Sequence, residues 1–325
     1  MKILHVTTEH TAPFKILFEV LKEALVEVNI EFRVDKINMQ MEDENISDDS
    51  DDDNDDGVNT DYDNEKNIEN ARKGGIRIKA VDQSKTVLIY MKLNAENFST
   101  FKSSMEKYSI GVNLTQFHKL IKSMDKEDNL GLYIEKDERD FLKIRIDNPE
   151  KSKVDIFKLK LLELKNDEIT LPPIKFDSVM TINGMEFHRL CREMSQIAEF
   201  IEIKCSKNKI IFTCKGDCAE RTTTYTTDDK INDGIDIEYS EGVSKDKIIQ
   251  GVYELKNLIL FGKCSNWCGR IQLYMKNDYP LVINYTIANL GKIILCMTPI
   301  APETTRNSNY EDDGDFYSDE EIELI

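Results

Sequence analysis

Asn183 to Phe200, NGMEFHRLCREMSQIAEF, reads as one helix with two incompatible faces. Phe187, Leu190, Cys191, Met194, Ile197 and Ala198 recur at the three-and-four spacing that gathers apolar side chains into a single stripe, so this stripe is expected to pack inward. His188, Arg189 and Arg192 fall on the opposite face, and the two arginines, three residues apart, are neighbours on the helix surface. Standing alone, such a helix reads as an ordinary solvated surface. Three further helices of the same kind change that reading.

The first opens at Ala12-Pro13, with Phe14, Leu17, Phe18, Leu21, Ala24 and Leu25 inward and Lys15 and Lys22 two turns apart outside. The second has Leu114, Phe117, Leu120, Ile121 and Met124 on one side and His118, Lys119 and Lys122 on the other. The last spans Gly251 to Lys263, with Val252, Leu255, Leu258 and Ile259 inside and Lys256 and Lys263 outside. Short alternating stretches separate them and read as strands: 3–7, 28–34, 75–81, 86–93, 130–134, 141–146 and 154–164, then 177–182, 200–205, 209–215, 221–227, 235–240, 271–275, 281–287 and 292–297. The chain thus spells strand, helix and several strands four times, paired into halves by the linker LKNDEITLPPIKF at 164–176, although residue identity between copies is weak. The fold class this implies is α+β, two similar domains of antiparallel sheet carrying four amphipathic helices. Their bounds are expected at 1–163 and 178–301, joined by a connecting loop at 164–177.

With 325 residues the chain can bury two cores. Its formal charge of −18 is concentrated in two places. Glu42 to Glu69 holds 14 acids against Lys66 alone, and Glu303 to Glu323 holds 9 against Arg306 alone, which leaves the remainder at +3. Those two segments, an insertion at about 38–73 and a tail at 302–325, read as disordered appendages. The insertion belongs at a hairpin tip, where added length costs little closure entropy. Seven cysteines, an odd number without regular spacing and several of them (Cys191, Cys205, Cys296) in apolar settings, read as free thiols in a reducing compartment. Cys214/Cys218 and Cys264/Cys268 could be imagined as zinc pairs, but no Cys-x-x-Cys occurs and only four histidines could assist, so no metal ion is expected. MKILHVTTEHTAPF has neither a long apolar core nor a small-residue cleavage site, and no run reaches membrane-spanning length. An intracellular protein with no membrane association is expected.

Four basic helix faces on matching units point to one extended positive surface, and the partner such a surface suits is backbone phosphate, read without regard to base sequence. No aromatic-interleaved strand, zinc finger or Asn/Gln-rich recognition helix is present for base readout. Enzyme signatures are missing too: no Gly-rich phosphate loop, Gly-x-Ser-x-Gly or His-Glu-x-x-His, and only four histidines. No catalytic residue and no cofactor is expected, and the acidic runs lack calcium-loop spacing.

Gly111-Val112-Asn113-Leu114-Thr115, Glu186-Phe187 with Arg189 and Arg192, Asp278-Tyr279-Pro280-Leu281-Val282 and Thr298-Pro299 resemble, in order and spacing, the sliding clamps of the proliferating cell nuclear antigen (PCNA) family. The resemblance implies a DNA polymerase processivity factor: a homotrimeric ring around double-stranded DNA, with helices lining the hole and sheets outside, that tethers polymerase and other replication and repair enzymes. It places Lys15, Lys22, Lys119, Lys122, Arg189, Arg192, Lys256 and Lys263 against DNA, the set the helix faces give independently. Ile16 and Gln196 stand where the family often has lysine and histidine. Partner peptides of the PIP-box type, including those of polymerase and clamp loader, would dock at Val81, Ile169, Leu171, Pro172, Phe176, Pro280, Met297, Thr298 and Pro299; Val81 and Cys296 replace the usual methionine and tyrosine. Ring closure would pair the edges 154–164 and 221–227 through Phe157, Lys158, Leu159, Thr223, Thr224 and Tyr225. Two other readings compete: a repair or checkpoint relative in a hetero-ring, and an acidic histone-binding or DNA-mimic protein. The Asn, Ile, Lys and Asp bias suits the AT-rich genome of a large DNA virus or a protist, so the expected location is the nucleus or the site of viral DNA replication.

Overall fold

The computed structural model describes residues 1–34, 74–165, 174–227 and 235–300. The acidic insertion and tail therefore lie outside the described residues. Two compact units emerge, one of Met1–Ala80, Tyr90–Asn166 and Ile287–Ile293, the other of Val81–Ile89, Asp167–Thr286 and Ile294–Ile325, each taken over its described residues.

In unit 1 a five-stranded antiparallel sheet runs β5 (Thr100–Ser103), β1 (Lys2–Thr8), β7 (Asn129–Glu135), β8 (Phe141–Asn148), β9 (Lys153–Lys160). Its register sets Leu4 opposite Ile134 and Val6 opposite Leu132, then Leu132 opposite Ile144, so one row of buried aliphatics crosses the central strands. A second ladder joins β3 (Gly75–Val81), β2 (Glu27–Arg33) and β6 (Lys107–Asn113), with Ile30 between Ile78 and Ile110. Helices α1 (Thr11–Ala24) and α2 (Leu114–Ile121) pack together over three rings. Phe18 lies 4.6 Å from Phe14 and 4.8 Å from Phe117, centroid to centroid.

Unit 2 repeats the plan. Strands β13 (Glu220–Thr226), β12 (Lys209–Lys215), β11 (Phe200–Ser206) and β15 (Ile249–Glu254) form one antiparallel sheet. Strands β14 (Asp236–Tyr239), β10 (Ser178–Asn183), β16 (Arg270–Met275), β17 (Leu281–Ile287) and β18 (Gly291–Met297) succeed one another in a second ladder. β4 (Val87–Asn94) completes the strands. Helices α3 (Gly184–Met194) and α4 (Leu255–Gly262) pack together, with Phe187, Leu190, Cys191, Met194, Leu255, Leu258 and Phe261 buried. Among the described residues the strand pairs β1/β5, β10/β14, β11/β12 and β12/β13 are all antiparallel, and the α-helices number four, as the pattern implied.

Several boundaries differ from the sequence expectation. The helix read over 183–200 stops at Met194, because Gln196 and Ile197 N–H groups turn to the carbonyls of Glu193 and Met194 and tighten the last turn. Ile197 and Ala198 therefore sit half-buried beyond the helix rather than in its stripe. The last helix begins at Leu255, not Gly251: the run Ile249–Glu254 pairs with β11, setting Ile249 against Cys205 and Tyr253 against Ile201. Val252 is consequently a strand residue, and Lys263 opens a short 3-10 turn, Lys263–Trp267. β9 ends at Lys160 rather than at residue 164, with only a bridge from Leu162 to Gly111 beyond it. Strands β5 and β6 have no counterpart in the sequence reading, since Thr100–Ser103 is too short and Lys107–Ser109 too polar to signal.

Candidate nucleic-acid interface

Two of the basic helices start the same way. Asn113 Oδ1 accepts the N–H of Gln116 at 3.0 Å, and Asn183 Oδ1 accepts those of Met185 and Glu186 at 3.0 and 3.1 Å. Each cap satisfies otherwise orphaned donors, worth about 1 kcal/mol. From these caps the sequences run in step: Asn113, Phe117, His118, Lys119, Leu120 and Lys122 correspond to Asn183, Phe187, His188, Arg189, Leu190 and Arg192. Both phenylalanines are buried, both histidines half-buried, and all four cations exposed. This short repeat is a signal in the sequence that reading each helix by its own period does not reveal.

The histidines report where the cations gather. In unit 1 burial foremost, then Lys22, Lys15 and Lys122, holds His118 below the usual imidazole range, with Glu19 opposing. His118 Nε2 is buried without a hydrogen-bond partner, as a neutral ring tolerates. Lysines from α1 and α2 thus share one face. In unit 2 burial foremost, then Arg192 and Lys263, lowers His188 in the same way. Here α3 and α4 approach so closely that a Cβ at Gly262 would lie 2.4 Å from His188 Cδ2.

Not every cation of the expected set is equally available. Lys15 Nζ donates to the Met124 carbonyl at 2.8 Å, just past the end of α2. Lys22 is ion-paired with Glu23. Arg189 Nε stands 3.9 Å from Glu193, whose other oxygen accepts Arg221 at 2.8 Å. Lys119, Lys122, Arg192 and Lys256 are exposed, and among the described residues none has a carboxylate within 4.0 Å. Lys263 is half-buried in the 3-10 turn. Lys15, Lys22 and Lys122 thus gather about His118, and Arg192 and Lys263 about His188, and the four cations without a carboxylate offer what phosphate oxygens need.

The residues expected to take partner peptides belong to unit 2. Antiparallel order puts the start of β10, the end of β16, the start of β17 and the end of β18 at one end of a ladder, and there lie Phe176, Pro280, Met297, Thr298 and Pro299. Phe176 packs against Tyr274 at 5.6 Å, and the Thr298 N–H donates to Thr86 at 3.0 Å, beside the turn that follows Val81. Val81 is 39% exposed, whereas Met297 is 2% exposed and belongs to the core beneath. Ile169, Leu171 and Pro172 lie outside the described residues. The proposed subunit edges, β9 and β13, each close a sheet. Lys158 and Thr224 are exposed there and Phe157, Thr223 and Tyr225 half-buried, but Leu159 turns inward at 9% exposure. Val154, at 46%, and Ile156, at 57%, are the open apolar residues of β9 that the candidate set passed over.

Among the described residues no group of His, Cys, Asp and Glu could hold a metal ion, and no helix is long and apolar enough to cross a membrane.

Comparisons with known proteins bear on the family and the fold. The family profile for the proliferating cell nuclear antigen C-terminal domain matches residues 170–300, and that for its N-terminal domain matches 56–169. A relative from Acanthamoeba polyphaga mimivirus, described as "Probable DNA polymerase sliding clamp", is 31% identical over 92% of this chain, which spans 62% of that relative's length. One from Paramecium bursaria Chlorella virus 1, "Probable DNA polymerase sliding clamp 1", is 30% identical over 70% of this chain and 84% of its own. The proliferating cell nuclear antigen of Chaetomium thermophilum is 28% identical over 69% of this chain and 85% of its own. The crystal structure of the Entamoeba histolytica antigen superposes with a TM-score of 0.71 at 20% identity, covering 93% of this chain and all of that one, a likeness of fold. The chain belongs to the proliferating cell nuclear antigen family.

Proposed function

We propose that the protein is a DNA polymerase processivity factor: a sliding clamp that encircles duplex DNA without sequence preference and tethers polymerase and other replication enzymes. The observation that carries this is the convergence of cations about His118 in one unit and about His188 in the other, on helices whose opposite faces are core. Contacts of that kind go to backbone phosphate, so affinity depends on salt and not on base sequence. The descriptions of the viral relatives support the same reading over the checkpoint and histone-binding alternatives. Residues 1–163 and 178–301 are the two clamp domains in this proposal, with 164–177 between them. Three copies close through β9 of one subunit and β13 of the next, each an edge with unpaired backbone groups on one side. Partner peptides dock at the ladder end formed by Phe176, Pro280, Thr298 and Pro299, beside Val81. The work is done at sites of DNA replication and needs no catalytic group of the clamp's own.

Topology tests the reading. Loaded onto a nicked circular duplex, the protein is expected to stay bound until the circle is cut, and light scattering should give three chains per particle. Persistent monomers, or retention indifferent to linearisation, would overturn it.

A further inference from the structure

The two arginines of α3 are not equivalent. Glu186, Arg189 and Glu193 fall at three- and four-residue steps and share one side of the helix, while Arg192 lies on the side of His188. The first side faces β13. Arg221 on that strand donates to Glu193 at 2.8 Å, and the same carboxylate stands 3.9 Å from Arg189. Four residues along β13 stands Tyr225, whose hydroxyl is pushed up to about 12 by burial foremost and then by the neighbouring Glu186 carboxylate. The strand is therefore fastened to the helix through Arg221 and Glu193, and Arg189 lies on the same helix side between Glu186 and Glu193.

We propose that Glu193 is a positioning residue that divides itself between Arg189 on the helix and Arg221 on the edge strand, tempering duplex binding while steadying the edge through which subunits join. This rests on the clamp reading, in which α3 faces DNA and β13 meets the next subunit. A carboxylate shared by two exposed guanidiniums holds each only modestly, so the effects are expected to be small and opposite in sign. Releasing Arg189 adds one cation to the phosphate-facing set; releasing Arg221 slackens the strand.

The test uses the full chain with E193Q, R189Q, R221Q and R192Q, a short random-sequence duplex read by fluorescence anisotropy at low salt, and subunit dissociation read by sedimentation. E193Q is expected to tighten duplex binding about two- to fivefold, the range an exposed ion pair can supply. That gain should vanish in the R189Q background. E193Q and R221Q should each promote subunit dissociation, and the double variant should be no worse than the single ones. A gain that survives in R189Q would reveal a plain charge effect and overturn the proposal, as would dissociation unmoved by both E193Q and R221Q. R192Q separates the two levels: if it fails to weaken duplex binding, the clamp reading of α3 falls and the role of Glu193 with it. If R192Q does weaken binding, the Glu193 outcomes stand on their own.

Discussion

The helix pairs of the two units do the same job with different restraint. In unit 1, α1 spends its lysines locally: Lys15 closes off the carbonyl of Met124 and Lys22 pairs with Glu23, leaving Lys119 and Lys122 of α2 facing outward without a carboxylate. In unit 2 the division runs within α3 itself, where Arg189 is held by Glu193 and Arg192 is not. Beneath the surface the contrast reverses. Unit 1 joins its helices through Phe14, Phe18 and Phe117, whereas unit 2 presses α4 against α3 at a glycine, with His188 over Gly262. A repeated plan thus fixes which face is basic but leaves each copy free to decide which cations are tied down.

The largest effect that would sharpen this contrast lies in the core. Phe117→Ala removes a ring packed at 4.8 Å on Phe18 and 6.4 Å from Phe14; Phe187→Ala removes one whose aromatic neighbour, Phe212, is 6.0 Å away. Both are buried and each should lose about 3–5 kcal/mol of stability, with Phe117 toward the upper end because two rings lose a partner. Urea unfolding followed by far-UV circular dichroism measures this. Equal losses would show that the ring cluster adds nothing beyond burial.

Much of this was legible beforehand, and the exceptions have physical causes. Phe14, Leu17, Phe18 and Leu21 recur at helical spacing in a stretch without competing signals, and they are buried on α1. Gly251–Glu254 reads as the start of the following helix because Val252, Leu255, Leu258 and Ile259 also satisfy a helical period; only pairing with β11, a partner some 50 residues away in the chain, decides for strand. Periodicity sets the cations apart from the buried stripe, although Lys15, Lys22 and Lys263 are half-buried rather than fully exposed. Whether Lys15 or Arg189 is occupied depends on Met124 and Arg221, which no local pattern brings near. That Met297 and Leu159 are buried in the single chain was not legible for a related reason: strand alternation says that one side is buried but not which.

The division of labour among cations has its own test, of intermediate size. K119Q/K122Q should weaken binding to a random-sequence duplex by about tenfold and lower the slope of log affinity against log salt by about two, one unit for each phosphate no longer neutralised. K15Q/K22Q should cost less and change the slope by less, because those lysines already have partners within the protein. Titrations at several salt concentrations measure both. If the α1 pair matters as much as the α2 pair, local engagement does not govern which residues meet phosphate.

The smallest effect concerns the two histidines. His118 and His188 both lie below the ordinary imidazole value of about 6.5, chiefly because each is half-buried and then because cations surround it. As pH falls below that value the unfolded chain takes up protons that the folded protein refuses. The stability present above pH about 6.5 is therefore lost progressively as pH drops toward the folded values. H118Q and H188Q should each flatten this decline, seen as a melting temperature less sensitive to pH between about 7 and about 5. Bound duplex works in the opposite direction. Phosphates across the basic face offset Lys22, Lys122, Arg192 and Lys263, raise both imidazoles and so favour proton uptake on binding. Affinity for duplex should then rise as pH falls through the same window, and should rise less in H118Q/H188Q. If the double variant titrates like the wild type, the histidines are bystanders and the converging cations act without them.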